Sequence, residues 1–82
     1  MNRKLGKIKL INAFFRTASK ADIDGLYSKI SLTERQEKIF RMFYIKKQDI
    51  GFIADMLNVC PRVIDYELSL IRSKIYEFLK PA

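Results

Sequence analysis

Apolar residues recur at the spacing of an α-helix through most of this chain, and the pattern is clearest between Gln48 and Ile75. Asp49 precedes the first apolar face of this stretch and has the side chain of an N-cap residue. That face consists of Ile50, Ile53, Ala54 and Leu57. A second face follows after a short break and consists of Ile64, Leu68, Ile71, Ile75 and Phe78. Because both faces step by three and four residues, the pattern predicts two amphipathic helices.

The break between these helices has the residues of a tight turn. Asn58 tolerates the left-handed conformation that ends helices, and Pro61 fits the first turn of the next helix, where its missing N–H costs nothing. Cys60 would then be the N-cap, and we expect it to be a small buried residue rather than a redox or metal ligand. A short helix, a turn of three or four residues and a long helix together predict a helix-turn-helix.

Two helices are predicted in the first 30 residues. Residues 4–18 place Leu5, Ile8, Ile11, Phe15 and Ala18 on one face. Ser19 and Asp22 have the spacing of a capping box, which predicts the start of a second, short helix. Gly25 lies inside that helix and weakens it by about 1 kcal/mol relative to Ala, so the helix could bend or fray there.

Another capping box, Thr33 with Gln36, predicts a helix that runs to about Ile45. This helix has too many apolar residues for one narrow stripe. We expect Ile39, Phe40 and Phe43 to face the core. We expect Met42 and Tyr44 to be partly exposed. The whole pattern predicts an all-α fold, a small bundle of about five helices. It would be a single domain over 1–82, with basic N-terminal helices in 1–30 and the helix-turn-helix part in 32–80.

The net charge of +7 is unevenly distributed along the chain. Residues 1–20 contain six basic residues and no acid, and Lys46 with Lys47 forms a second, smaller cluster. A basic arm of one sign indicates a polyanionic partner, most often nucleic acid, although it can also be a solvated face. A basic amphipathic helix can also lie on a membrane, but in a small bundle we expect it to face the core.

The composition argues against several other classes of function. The chain has no His and one Cys, so the usual acid–base and zinc chemistry lacks its main residues, and we expect no enzyme activity and no cofactor. It has no apolar run long enough for a membrane span, and no signal-peptide pattern follows its basic start. The expectation is a cytoplasmic protein without a membrane partner.

From Leu32 onward the chain resembles region 4 of bacterial sigma factors, especially the extracytoplasmic-function type, and it is also similar to the LuxR-type regulator domain. The residues that carry the resemblance are Leu32, Arg35-Gln36, Ile39-Phe40, Ile53-Ala54-Asp55, Leu57-Asn58-Val59, Ile64, Leu68, Ile71-Arg72, Lys74 and Ile75. The resemblance implies a stand-alone bacterial or phage transcription regulator that binds double-stranded DNA, with RNA polymerase or a sigma factor as a possible protein partner. The chain departs from the family at Asn58, Cys60 and Val63, and acids stand at positions 65 and 67, where the family tends to be basic.

In a helix-turn-helix the second helix enters the major groove and its first residues meet base edges. The recognition helix would be 61–80, with Arg62 pairing to guanine and Tyr66 packing on a thymine methyl or binding a phosphate. The predicted DNA-contacting residues are Lys46, Lys47, Gln48, Arg62, Asp65, Tyr66, Ser69, Arg72 and Lys74. Of these, Lys46, Lys47 and Gln48 would bind phosphate together with backbone N–H groups at the start of the preceding helix. For Arg72 and Lys74, a solvated or salt-bridged face is an equally good interpretation.

The alternative function is a protein-interaction module that keeps the fold without strong DNA binding. The last predicted helix carries a second apolar stripe, and the residues of this possible partner surface are Val63, Tyr66, Leu70 and Leu79. The stripe could be the seam of a homodimer or a surface for RNA polymerase or a sigma factor. Asp65 and Glu67 favour this alternative, because acids repel a phosphate backbone.

Overall fold

The computed structural model describes the backbone of residues 3–80 and the side chains from Gly6 to Lys80. Its helices are α1 (Arg3–Thr17), α2 (Lys20–Lys29), α3 (Glu34–Phe40), α4 (Ile50–Leu57) and α5 (Pro61–Leu79), and a π-helical segment (Arg41–Ile45) continues directly from α3. No strand is present in residues 3–80. The prediction of an all-α fold of about five helices is therefore confirmed. The side chains of Arg3, Lys4 and Leu5, which the sequence places in the basic arm and on the first apolar face, lie outside the described part.

Two of the helix starts follow from capping boxes. Ser19 Oγ accepts a hydrogen bond from the Asp22 N–H at 3.1 Å, and Asp22 Oδ2 accepts one from the Ser19 N–H at 3.0 Å. Thr33 and Gln36 form the same reciprocal pair at 3.2 and 3.1 Å. These two capping boxes satisfy N–H groups that the first helical turn leaves without partners. The predicted boxes are both confirmed, and α2 continues through Gly25 to Lys29 without a break.

The π-helical segment was not predicted, and it changes which aromatic residue is buried. The Lys46 N–H donates to the Arg41 carbonyl, five residues earlier, at 2.9 Å. A π turn takes up more residues than an α turn, so the residue four positions after Phe40 stays on its face while the residue three positions after it moves away. Tyr44 is accordingly buried and Phe43 only half-buried, and the expectation of a partly exposed Tyr44 was wrong. The Phe40 and Tyr44 ring centroids lie 5.7 Å apart.

A three-residue connection joins α4 to α5. Asn58 ends α4 in the left-handed conformation, with φ 57° and ψ 47°, and its N–H donates back to the Ala54 and Asp55 carbonyls. Helix α5 then begins at Pro61, as the missing N–H of proline predicts. Cys60 is exposed, so the expectation that it would be buried was wrong. Its place at the corner, before the buried face of α5 begins, leaves its side chain on the solvent side.

The chain groups into two compact units, which share α5. The terminal unit consists of α1, α2 and the part of α5 from Arg72 onward, and the middle unit consists of residues 32–71. Fully buried residues of the terminal unit are Ile11, Leu26 and Ile75. Those of the middle unit are Ile39, Phe40, Ile53, Ala54, Ile64, Leu68 and Ile71. Each unit thus buries apolar residues from several helices, which is what an amphipathic helix needs to be stable.

One residue of the predicted α5 stripe departs from it. Phe78 is 40% exposed, whereas Ile75, one turn earlier, is completely buried. Phe78 lies at the end of α5 and lines an open groove of about 580 Å³ in the terminal unit. The prediction that Phe78 belongs to the buried face was therefore wrong at the last turn of the helix.

Candidate nucleic-acid interface

The first three turns of α5 have two opposite faces. Ile64, Leu68 and Ile71 are each 0% exposed and hold the helix against the middle unit. The residues on the other side are exposed, and they are Pro61, Arg62, Asp65, Tyr66, Ser69 and Leu70. Asp65 and Tyr66 each lie three or four residues from both Arg62 and Ser69, so the four side chains form one continuous surface along the helix. We call these four residues the α5 face.

Arg62 stands at the leading end of the α5 face, in the second residue of the helix. Helix α4 ends at the left-handed Asn58, and α5 begins at Pro61. The first turn of α5 is therefore not continuous with the preceding helix. Arg62 is exposed, and among the described residues no carboxylate is paired with it. Its guanidinium can therefore offer both of its parallel N–H groups to a planar acceptor such as guanine.

Tyr66 is the most exposed large apolar side chain of α5, at 64%. Its ring and hydroxyl can contact a partner without any change in the buried face of the helix. Asp65 precedes it and carries a negative charge on the same face, while Glu67 is half-buried beside it. An acid accepts hydrogen bonds from the amino group of cytosine but repels phosphate. The α5 face is therefore suited to base edges more than to the DNA backbone.

The start of α4 differs from what the phosphate-binding prediction assumed. Asp49 Oδ1 accepts a hydrogen bond from the Phe52 N–H at 2.8 Å, so a carboxylate already caps this helix. The carboxylate occupies the positive end of the helix, where an anion would otherwise bind. Lys46 and Lys47 are exposed just before it, and Lys47 has a left-handed backbone with φ 59°.

Gln48 is half-buried, and its Oε1 is a buried acceptor without a hydrogen-bond partner among the described residues. A phosphate oxygen is itself an acceptor, so only the Nε2 group of Gln48 could bind it. Of the predicted phosphate-binding residues in this connection, Lys46 and Lys47 are thus the two whose charged groups face solvent.

The last two predicted DNA-contacting residues belong to the terminal unit. Lys74 is half-buried, and its Nζ donates a hydrogen bond to the Ser31 carbonyl, which links α5 to the end of α2. Arg72 is also half-buried and has a polar or electrostatic interaction within the chain. Both residues therefore have partners within the chain, and the Ser31 carbonyl is a partner of Lys74 that the sequence did not indicate.

An open groove of about 580 Å³ lies beside Lys74 in the terminal unit. It is lined by Lys29, Ile30, Ser31, Lys74, Glu77 and Phe78. Glu77 and Lys80 form an exposed ion pair at 2.8 Å. The hydrogen bond from Lys80, and then its charge, hold the pKa of Glu77 below its usual range. Among the described residues, no group of three His, Cys, Asp or Glu residues is placed to hold a metal ion.

The possible partner surface is exposed only in part. Tyr66 is exposed and Leu70 is 36% exposed, while Val63 and Leu79 are half-buried. Val63, Tyr66 and Leu70 lie on one side of α5, whereas Leu79, 16 residues after Val63, lies nearly half a turn away. Leu79 therefore does not extend the stripe.

Sequence reasoning missed a second set of exposed apolar side chains in the middle unit. Phe52 and Met56, one turn apart on α4, are 45% and 62% exposed, and Ile45 at the end of the π segment is also exposed. The signal was present in the sequence, because six of the eight residues of α4 are apolar and a helix cannot bury its whole circumference in a small fold.

None of the described helices is long and apolar enough to cross a membrane. Comparison of the chain with models of protein families, with curated proteins and with solved structures gives no match.

Proposed function

We propose that this protein binds double-stranded DNA and regulates transcription, using α4 and α5 as a helix-turn-helix with the α5 face in the major groove. The observation that carries the proposal is the two-sided first half of α5. Its buried side anchors the helix through Ile64, Leu68 and Ile71, and its other side presents Arg62 and Tyr66 to solvent at the leading end. This is the arrangement that a recognition helix requires. The resemblance to sigma factor region 4 and to LuxR-type domains supports the same function.

Within this proposal the residues have different roles. Arg62 reads guanine, Tyr66 contacts a thymine methyl or a phosphate, and Ser69 lies further along the same row. Lys46 and Lys47 bind phosphate. Arg72 and Lys74 are primarily structural residues of the terminal unit, because each already has a partner within the chain.

The test is a selection of bound duplexes from a random pool, followed by titration of the selected sequence and of the pool. We expect a sequence preference that Arg62→Ala reduces by about 1–3 kcal/mol, the value of one good bidentate base contact. Arg35→Ala is the matched control, because it removes the same charge from an exposed position on α3. Equal effects of the two changes on the preference, or no preference in the unchanged protein, would contradict the proposal.

A second candidate function, a protein-interaction module, is favoured by the exposed apolar residues of the middle unit. Tyr66 and Leu70 on α5, and Phe52 and Met56 on α4, offer apolar surface that a homodimer, RNA polymerase or a sigma factor could cover. Leu70→Glu is tolerated by a monomer because Leu70 already touches solvent. If light scattering detects a dimer that this change dissociates, the interaction module becomes the better description.

A further inference from the structure

The net charge of the chain is confined to one of its two units. The residues of the terminal unit and the chain ends, 1–31 and 72–82, include ten basic and three acidic residues. The middle unit, which contains the α5 face, has six of each sign. The unit proposed to read DNA sequence therefore has no net charge with which to attract a phosphate backbone.

Phosphate contacts supply most of the non-specific affinity of a DNA-binding protein. In the middle unit such contacts face local obstacles as well, since Asp49 caps α4 and Asp65 lies on the α5 face. Beyond the contacts of Lys46 and Lys47, the affinity must then come from another part of the chain, and α1 is the part with the strongest charge of one sign. It has five basic residues and no acid among its 15 residues.

The described side chains of α1 divide clearly between the two sides of the helix. Ile11 is buried, and the half-buried apolar residues beside it are Ile8, Leu10, Phe14 and Phe15. Lys9, Asn12 and Arg16 are exposed and follow at steps of three and four, so they form one polar row. Among the described residues no carboxylate pairs with Lys9 or Arg16.

Lys7 and Lys9 lie on the same helix but differ in their surroundings. Its Nζ lies 5.0 Å from the centre of the Tyr76 ring, and its side chain is half-buried. A cation held over an aromatic ring already has a partner inside the unit. The free charge on the described part of α1 is therefore that of Lys9 and Arg16.

We propose that Lys9 and Arg16 form a second DNA-binding site, which grips the phosphate backbone of a duplex without reading its sequence. The proposal rests on the proposed function in taking duplex DNA as the ligand. In this proposal the terminal unit supplies affinity for the phosphate backbone, and the α5 face of the middle unit supplies sequence preference.

Two other polyanions fit this row of charges less well. A helix that binds a lipid surface inserts exposed apolar side chains, and none of the exposed large apolar residues of the described chain lies on α1. Single-stranded nucleic acid is held by exposed aromatic rings on which bases stack, and the two phenylalanines of α1 are half-buried. A row of charges without large exposed apolar or aromatic side chains is suited to the regular backbone of a duplex.

The experiment compares two double variants that have the same net charge. Lys9→Gln with Arg16→Gln removes the proposed site, and Arg35→Gln with Lys38→Gln removes one Arg and one Lys from exposed positions on α3. Affinity for a random-sequence duplex is measured across a salt series, and circular dichroism checks that both variants fold. Single-stranded DNA and anionic phosphatidylserine vesicles are titrated in parallel.

For the α1 variant we expect the slope of log K against log salt to become shallower by about 1.8, because each phosphate contact contributes about 0.9. The α3 variant should keep the slope of the unchanged protein, and neither variant should alter the ratio of affinities for selected and random duplexes. Equal losses in the two variants, or no loss in the α1 variant, would overturn the proposal. Tighter binding of the unchanged protein to single strands or to vesicles than to duplex would overturn it as well.

The outcome is distinguishable from that of the proposed function. If Arg62→Ala removes the sequence preference while the α1 variant leaves the salt slope intact, the proposed function stands and the second site does not exist. If the α1 variant flattens the slope but no sequence preference is found, the chain binds DNA through α1 and the α5 face does not read it.

Discussion

The two units of this protein are built from the same kind of helix but differ in net charge and in exposed apolar surface. The terminal unit and the chain ends carry the whole net charge of +7, and among the described residues of this unit Phe78 is the one exposed large apolar side chain. The middle unit is neutral, and it exposes Ile45, Phe52, Met56, Tyr66 and Leu70. Helix α5 runs without interruption through both.

The difference indicates that attraction and discrimination need not come from the same surface. Charge attracts any polyanion, whereas apolar and hydrogen-bonding side chains distinguish one partner from another. A neutral middle unit would also suit a protein partner. The two candidate functions therefore differ in the salt dependence of binding affinity, which should be steep only for DNA binding that involves the terminal unit.

The largest expected effects are losses of stability from substitutions in the cores of the two units. Leu26→Ala in the terminal unit and Leu68→Ala in the middle unit each remove a side chain that is 0% exposed, and each should lower the free energy of unfolding by about 2–5 kcal/mol. Because α5 contributes to both cores, we expect a single unfolding transition in urea for each variant. Leu70→Ala is the control, because Leu70 lies on α5 like Leu68 but is 36% exposed. This change should lower the free energy of unfolding by less than about 1 kcal/mol. Two separate transitions by circular dichroism would show that the units unfold independently.

Smaller effects are expected from substitutions at the helix caps of the two units. Ser19→Ala and Asp49→Ala each remove a side-chain acceptor from a helix N-terminus, so each should cost about 1 kcal/mol in urea unfolding. Asp49→Ala also removes a negative charge beside Lys46 and Lys47, and it should therefore strengthen binding to duplex DNA. Asp49→Asn keeps a capping oxygen and should strengthen binding at little cost in stability. If Ser19→Ala strengthened binding as much as Asp49→Ala, the charge explanation would be wrong.

The smallest effects are expected from replacing one glycine in each unit by alanine. A Cβ added to Gly25 in α2 would meet nothing within 4 Å, so Gly25→Ala should stabilise the protein by about 0.5–1 kcal/mol. A Cβ at Gly51 would lie 3.3 Å from Asp49 Oδ1, the oxygen that caps α4. Gly51→Ala should therefore gain less, and thermal unfolding of the two variants measures the difference. A larger gain at Gly51 than at Gly25 would contradict the role given to the Asp49 cap.

Much of the fold could be predicted because it depends on local signals. The capping residues Ser19, Thr33 and Asp49 form hydrogen bonds with groups three residues away, and Asn58 adopts its left-handed conformation for local steric reasons. Such features are visible in a few consecutive residues. The buried face of α5 through Ile75 was predicted for the same reason, since its periodicity lies within one helix.

The features that could not be predicted depend on longer-range packing. The π turn after α3 has no sequence signature of its own, and it decided that Tyr44 rather than Phe43 is buried. The hydrogen bond from Lys74 to Ser31 joins residues 43 positions apart. For the candidate interface, the sequence indicated the residues of the α5 face, but only the fold shows that Lys7 and Lys9 have different surroundings.

DNA binding through two surfaces is tested most directly by a map of backbone amide chemical-shift changes when the ¹⁵N-labelled protein is titrated with a short duplex. We predict two groups of changes, one at Arg62, Asp65, Tyr66 and Ser69 and one around Lys9 and Arg16, with the second group weakening first as salt is raised. Changes confined to the exposed apolar residues Ile45, Phe52 and Met56, or no changes at low salt, would contradict this prediction.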